Sequence, residues 1–258
     1  MPDWTDTERA VMGAILEVGA LTSRRVQATY GPRPNWHRLI TERQLREVRT
    51  IYGPVLTPTE AVHEKVESTG RLRGPGSLAD RAYMLDAIDL VAQHGYRFVS
   101  HDYKGGQVPG TTTAHITRTR IEVSREEMER LVDWASDRPG PLPKALGRTW
   151  LYARCSGGGM QASDLRRILK ATEEQNRPKE YSTDHVQVLH APLLFVVPAE
   201  DDALRAYARR YLAEHRRTYD RGWNYNQRLH YVPPFEIFEQ PLPNQVYRPS
   251  SVERGRPL

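Results

Sequence analysis

The chain has 258 residues, 38% hydrophobic and 27% charged, a balance that excludes a disordered polymer and suffices for a buried core. A single cysteine excludes an internal disulfide, and a formal net charge of +5 makes an acidic partner such as nucleic acid the expected one. The longest apolar run, 191–198, is too short to span a bilayer, and Asp3, Asp6 and Glu8 stand where a secretory leader would be basic. The expected location is therefore the cytoplasm, with no membrane contact.

Thr5 and Glu8 have capping-box spacing, and Ala10, Val11, Ala14, Ile15 and Val18 follow at helical intervals until Gly19 stops the helix. Thr22 can cap a second short helix that runs through Val26 to about Tyr30, before Gly31 and Pro32. The spacing predicts a third helix from Asn35, with Trp36, Leu39, Ile40 and Arg43 on the core stripe and His37, Arg38, Thr41 and Glu42 facing away. Leu45 to Tyr52 then reads as a strand, Gly53 and Pro54 as a turn, and Val55 to Thr57 as the returning strand. Pro58, Thr59 and Glu60 open a fourth helix. Three short helices, a ribbon and a helix within residues 1–67 is the order of a winged helix-turn-helix domain.

Residues 68–77, STGRLRGPGS, have no apolar period and read as a linker. A second domain over 78–217 begins with a helix from Leu78 to about His94. Tyr96 to Tyr103 follows as a strand, KGGQVPG as a Gly-rich turn, and 114–123 as another strand on its two-residue alternation. Ser124 and Glu127 form a second capping box for a helix to about Ser136. Trp150 to Cys155 reads as a strand, Ser163 to Gln175 as a helix, His185 to Val197 as one or two strands, and Pro198 to about Arg217 as a helix. The alternation argues for mixed α/β layers, so the expected class is α+β: an N-terminal winged helix-turn-helix followed by a small mixed α/β domain. The segment 218–258 is rich in proline and aromatic residues, and YVPPFEIFE within it is predicted to pack back as an edge strand.

Between Arg24 and Arg49 lie seven arginines and two glutamates, a net +5 that equals the charge of the whole chain. A recognition helix reads base edges in the major groove while neighbouring cations hold phosphates. The candidate DNA-binding residues are Arg24 and Arg25 at the start of the second helix, Arg33 just before the third, Asn35, His37, Arg38 and Thr41 on the third, and Arg46 and Arg49 on the ribbon. Arg38 could bridge guanine and Asn35 could pair with adenine. The alternative is that these arginines merely solvate an exposed face.

Catalytic signals are weak by comparison. CSGGGMQASDLRR, 155–167, joins a strand to a helix but lacks GxGxxG and the P-loop Lys-Ser/Thr, and reads as a turn with Ser163 capping a helix. Asp184, His185 and His190, with His101 and Asp102, are the densest possible metal ligands, but they have no HExxH spacing. No catalytic residue, metal or cofactor is expected.

The segments ERAVMGAILEVGALTSRRVQ, HRLITERQLREV and VLTPTEAVHEKV, followed by LADRAYMLDAIDLVAQHGYRF and APLLFVVPAEDDALRAYARRYL, resemble the replication-relaxation family of plasmid, phage and mobile-element proteins. The resemblance covers about Thr5 to Leu212. It implies DNA binding in replication, transfer or control of a mobile element. It also implies a second domain similar to a restriction-endonuclease core, where an Asp and a Glu-x-Lys pair would hold a divalent metal. In this chain Ala153 and Cys155 stand where such an acid and lysine belong, so the site lacks carboxylates for a metal. The leading expectation is a non-enzymatic, sequence-specific binder of double-stranded DNA. Its α/β domain would form a homodimer or bind a protein partner. A metal-dependent nuclease or other nucleic-acid enzyme, and a protein-interaction scaffold, are the alternatives.

Overall fold

A computed structural model describes residues 3–65, 74–98, 104–107, 115–123, 144–146, 148–175, 188–190, 193–198 and 235–242, with helical positions 204, 206, 207, 210 and 211. The fold is mixed α and β. By contacts the chain divides into two units, one holding residues up to Tyr83 with Cys155–Gly157 and the segment from Pro241 onward, the other Met84–Arg154 and Gly158–Gln240.

The first unit opens with α1 (Asp6–Val18), which begins on the expected capping box. Glu8 N–H donates to Thr5 Oγ1 at 3.2 Å, and Thr5 N–H donates to Glu8 Oε2 at 2.8 Å. The strand β1 (Leu21–Thr22) leads into α2 (Ser23–Tyr30), capped by Thr22, whose hydroxyl accepts from Arg25 N–H at 3.1 Å. A 3₁₀ turn (Arg33–Asn35) and α3 (Arg38–Thr41) precede an antiparallel hairpin, β2 (Leu45–Thr50) and β3 (Gly53–Pro58), and then α4 (Glu60–Lys65). The strands form a three-stranded sheet in the order β1-β3-β2, in which Leu21 pairs with Leu56 and Glu47 pairs with Leu56 from the other side. Val11, Ile15, Val26, Trp36, Leu39, Leu45 and Leu56 make the core, each at most 1% exposed.

Two expectations change here. The third helix is broken: Trp36, fully buried, takes φ −139° between the 3₁₀ turn and α3, and its indole N–H reaches back to the Gly31 carbonyl at 3.2 Å. Seating a large ring there, with Pro32 and Pro34 lacking donors upstream, interrupts the regular ladder. The hairpin also turns two residues earlier than predicted, at Ile51–Tyr52. Thr50 Oγ1 accepts from Tyr52 N–H at 3.1 Å and donates to the Gly53 carbonyl at 2.8 Å. Gly53, at φ 94°, enters the returning strand in the left-handed region that a side chain would strain.

Helix α5 (Pro75–Ala92) starts three residues before the expected Leu78, so the linker read at 68–77 ends earlier, and the division between units falls inside the helix after Tyr83. Within the first unit Tyr83 meets Tyr52 edge-on at 5.2 Å, and burial, then the neighbouring Cys155, Tyr52 and Asp80, hold its hydroxyl protonated well above the usual range.

The second unit is built on a six-stranded sheet in the order β11-β10-β8-β6-β4, with β5 paired to β6. Its strands are β4 (Tyr96–Phe98), β5 (Lys104–Gln107), β6 (His115–Val123), β8 (Arg148–Ala153), β10 (Leu193–Val197) and β11 (Phe235–Glu239). Lys104–Gln107 is thus a strand rather than the turn its glycines suggested. A further pair, β7 (Lys144–Leu146) with β9 (Val188–His190), is parallel. The strands β4, β6 and β8 run antiparallel, whereas β8, β10 and β11 run parallel. A parallel step needs a crossover, which α6 (Ala162–Gln175) supplies between β8 and β10. All five residues of β10, LLFVV, are buried, as a strand covered on both faces requires. Tyr152 stacks on Phe195 at 5.4 Å among Met160, Leu165, Ile168 and Leu169 of the α6 side. The expected C-terminal edge strand is β11, outermost beside β10. The helix read over 124–136 lies outside the described residues.

Candidate nucleic-acid interface

The residues singled out by charge separate into those the fold uses and those it leaves free. Arg38 is used. Its Nε donates to Glu8 Oε1 at 2.8 Å and its Nη2 to Glu8 Oε2 at 2.6 Å, a two-pronged pair that a planar guanidinium suits. Arg38 Nη2 also donates to the Asp3 carbonyl, and Glu42 lies 3.8 Å from its Nε. The Glu8 side chain is only 3% exposed. The Arg38 hydrogen bonds, helped by those from Thr5 and opposed by burial, bring the Glu8 carboxyl down to about 2. Glu8 in turn raises the Arg38 guanidinium further above its ordinary value. Arg38 is 43% exposed, but its Nε and Nη2 are held by Glu8 and the Asp3 carbonyl rather than left open for a guanine.

Arg33 is partly used. Its Nη1 lies 3.5 Å from Glu47 Oε2, the oxygen that also accepts from Ser23 Oγ at 3.1 Å. Glu47 on β2 therefore draws together the first residue of α2, the 3₁₀ turn and the hairpin. Arg24 follows Ser23 directly, and Arg49 lies two residues beyond Glu47 on the same face of β2. Arg46 has the opposite parity from Arg49. It is half-buried, and both it and the half-buried Arg25 are engaged with neighbouring groups, so the two ribbon arginines lie on opposite faces of β2.

Of the seven arginines between Arg24 and Arg49, those that stay exposed with no described partner are Arg24, Arg43 and Arg49. An unbroken helix would put Arg43 on its core stripe. With α3 ending at Thr41, it stands instead at the helix-to-strand corner, in solvent. Only the break at Trp36 reveals this, and its one local signal is the pair of prolines around Arg33. Asn35 is exposed at the end of the 3₁₀ turn, His37 is half-buried, and Thr41, exposed, donates its hydroxyl to the Arg38 carbonyl at 3.0 Å. Residues 3–65 carry nine Lys and Arg against eight Asp and Glu, so any positive field is local and comes from which acids are already occupied.

The Gly-rich turn after β8 is organised from α5, within the first unit. Asp80 Oδ1 accepts from the backbone N–H groups of Cys155 at 2.9 Å and Ser156 at 2.8 Å, and Oδ2 accepts from Ser156 Oγ at 2.6 Å. Asp80 is 5% exposed and Cys155 is fully buried. In the second unit α6 starts at Ala162, so Ser163 lies inside its first turn rather than capping it; Asp164, the third helical residue, reaches back, its Oδ2 accepting from Gln161 N–H at 3.1 Å and from Arg154 Nη1 at 3.3 Å. The strands β8, RTWLYA, and β10, LLFVV, offer no carboxylate. Among the described residues no three His, Cys, Asp or Glu side chains group closely enough to hold a metal ion. His101, Asp102, Asp184 and His185 lie outside the described residues. No described helix is long and apolar enough to cross a membrane. No known protein family, curated protein or solved structure matches the chain.

Proposed function

We propose that residues 3–65 act as a winged helix-turn-helix that binds double-stranded DNA, in a cytoplasmic protein whose second unit serves self-association or a protein partner. The observation that carries this reading is the conjunction of element order and free charge. Helix, strand, helix, helical segment and hairpin follow one another with the sheet order β1-β3-β2. Arg24, next to Ser23 in α2, and Arg49, two residues beyond Glu47 on β2, stand exposed, and the Glu47 carboxylate is already occupied by Ser23 and Arg33. Two cations without a counter-charge on neighbouring elements suit adjacent phosphates, while Asn35, exposed on the helical segment, offers an amide to an adenine edge. Tyr52 at the hairpin turn is buried against Tyr83, so its ring is not offered to a groove. A setting in replication, transfer or control of a mobile element is the role the family resemblance implies.

Fluorescence anisotropy of the full chain with labelled duplexes tests this reading. Affinity should fall steeply with salt, and Arg24→Ala with Arg49→Ala should make the salt slope shallower by about 2, since each arginine neutralises one phosphate. Asn35→Ala should cost about 1 to 3 kcal/mol on the preferred sequence and little elsewhere. Duplex binding indifferent to both arginine substitutions would sink the assignment of this face.

A further inference from the structure

Arg43 sits where the backbone favours glycine. The chain leaves α3 through a Schellman turn, in which Arg43 N–H donates to the Ile40 carbonyl at 3.0 Å and Gln44 N–H to the Leu39 carbonyl at 2.8 Å. Arg43 itself takes φ 55°, the one positive φ at a non-glycine among the described residues. In that region a side chain crowds its own backbone, a cost glycine avoids. The corner is held by groups other than the Arg43 side chain. Thr59 Oγ1 donates to the Arg43 carbonyl at 2.8 Å, and Thr59 N–H donates to the Gln44 carbonyl at 3.0 Å. A cation near a helix C-terminus can be favourable, but four residues of α3 generate little dipole. The neighbouring acid, Glu42, turns its carboxylate to other partners. Glu42 Oε1 faces Arg38 Nε at 3.8 Å, and Glu42 Oε2 accepts from Gln44 Nε2 at 3.0 Å.

The fold thus bears strain at residue 43 and takes no described interaction from the guanidinium in return. Strain kept at an exposed charged position is what a ligand contact would explain. We infer that Arg43 is a phosphate-binding residue of the DNA interface proposed above, on which this inference rests. It would grip the backbone where the helical segment hands over to β2, at the opposite end of that strand from Arg49.

The test uses the full chain with Arg43→Gly, Arg43→Lys and the wild type, read by anisotropy on a short duplex of mixed sequence and by thermal melting. Counterion release predicts that Arg43→Gly binds about eightfold more weakly at about 0.1 M salt, with a salt slope shallower by about 0.9. Its melting temperature should hold or rise, because glycine relieves the strain, and Arg43→Lys should bind close to wild type. Affinity unchanged in Arg43→Gly would overturn the role of Arg43 and leave the interface standing. A lowered melting temperature would overturn it too, by assigning the side chain to the fold. Failure of the wild type to bind duplex DNA at all would remove the interface and Arg43 with it.

Discussion

Glu8 closes the capping box of α1 and also receives both prongs of Arg38, so one buried carboxylate ties a helix start to the segment that was expected to read bases. Arg38→Ala leaves that carboxylate without its principal donor. It should lower the melting temperature, though by less than loss of a fully buried pair because Arg38 is 43% exposed. Any loss of DNA binding in Arg38→Ala should then track the fraction unfolded and disappear when binding is measured well below the melting point. A melting temperature unchanged from wild type would contradict this. The pair also sets an acid limit. The Glu8 carboxyl titrates near 4.5 when unfolded and about 2 when folded, so the unfolded chain takes up the proton first as pH falls. Its contribution is whole above 4.5, shrinks across that interval and is gone below about 2. Thermal melts of Glu8→Gln should therefore show a flatter fall in stability over this range than wild type, from a lower starting value at neutral pH.

At the scale of elements, α1 ends at Gly19 with φ 87°, and Arg81 donates to the Val18 carbonyl at 2.6 Å across the space a side chain would need. A Cβ on Gly19 would lie 2.5 Å from Arg81 Nη1, so Gly19→Ala combines backbone strain with a displaced cap. The expected cost is about 2 kcal/mol in a denaturant titration, and a cost below the error of that measurement would oppose the reading. This helix also marks where sequence reading ends. Its start at Thr5–Glu8 and its stop at Gly19 were legible because both depend on residues within a turn or two. Arg81, sixty-three residues from Val18, leaves no local trace. The same division explains the rest: the Thr22 cap and the β11 edge strand were readable from pattern. The break at Trp36 and the strand over Lys104–Gln107 follow from tertiary burial and from pairing with β6. Arginines can be counted along the chain, but their partners cannot, which is why Arg38 looks free in the sequence and Arg43 looks like core.

For the molecule as a whole, the first unit does not end at residue 67. It needs Arg81 against α1, Tyr83 against Tyr52, and Cys155–Ser156 against Asp80. A chain cut after residue 67 should melt at a lower temperature and less cooperatively than the first unit of the intact protein, followed by circular dichroism. Equal melting would show that the later residues are dispensable. Asp80→Ala in the intact chain strands two backbone donors and a hydroxyl in a buried place, and should cost about 2 to 4 kcal/mol by chemical denaturation. The separation of seventy-five residues between Asp80 and Cys155 also has a consequence in time. At a synthesis rate of roughly 5–20 residues per second, Asp80 leaves the ribosome about 4 to 15 seconds before the backbone donors that satisfy it. The first part of the chain to be made therefore cannot be finished until much of the second unit has emerged. Through that interval the nascent helix carries a solvated carboxylate at a position destined for the interior.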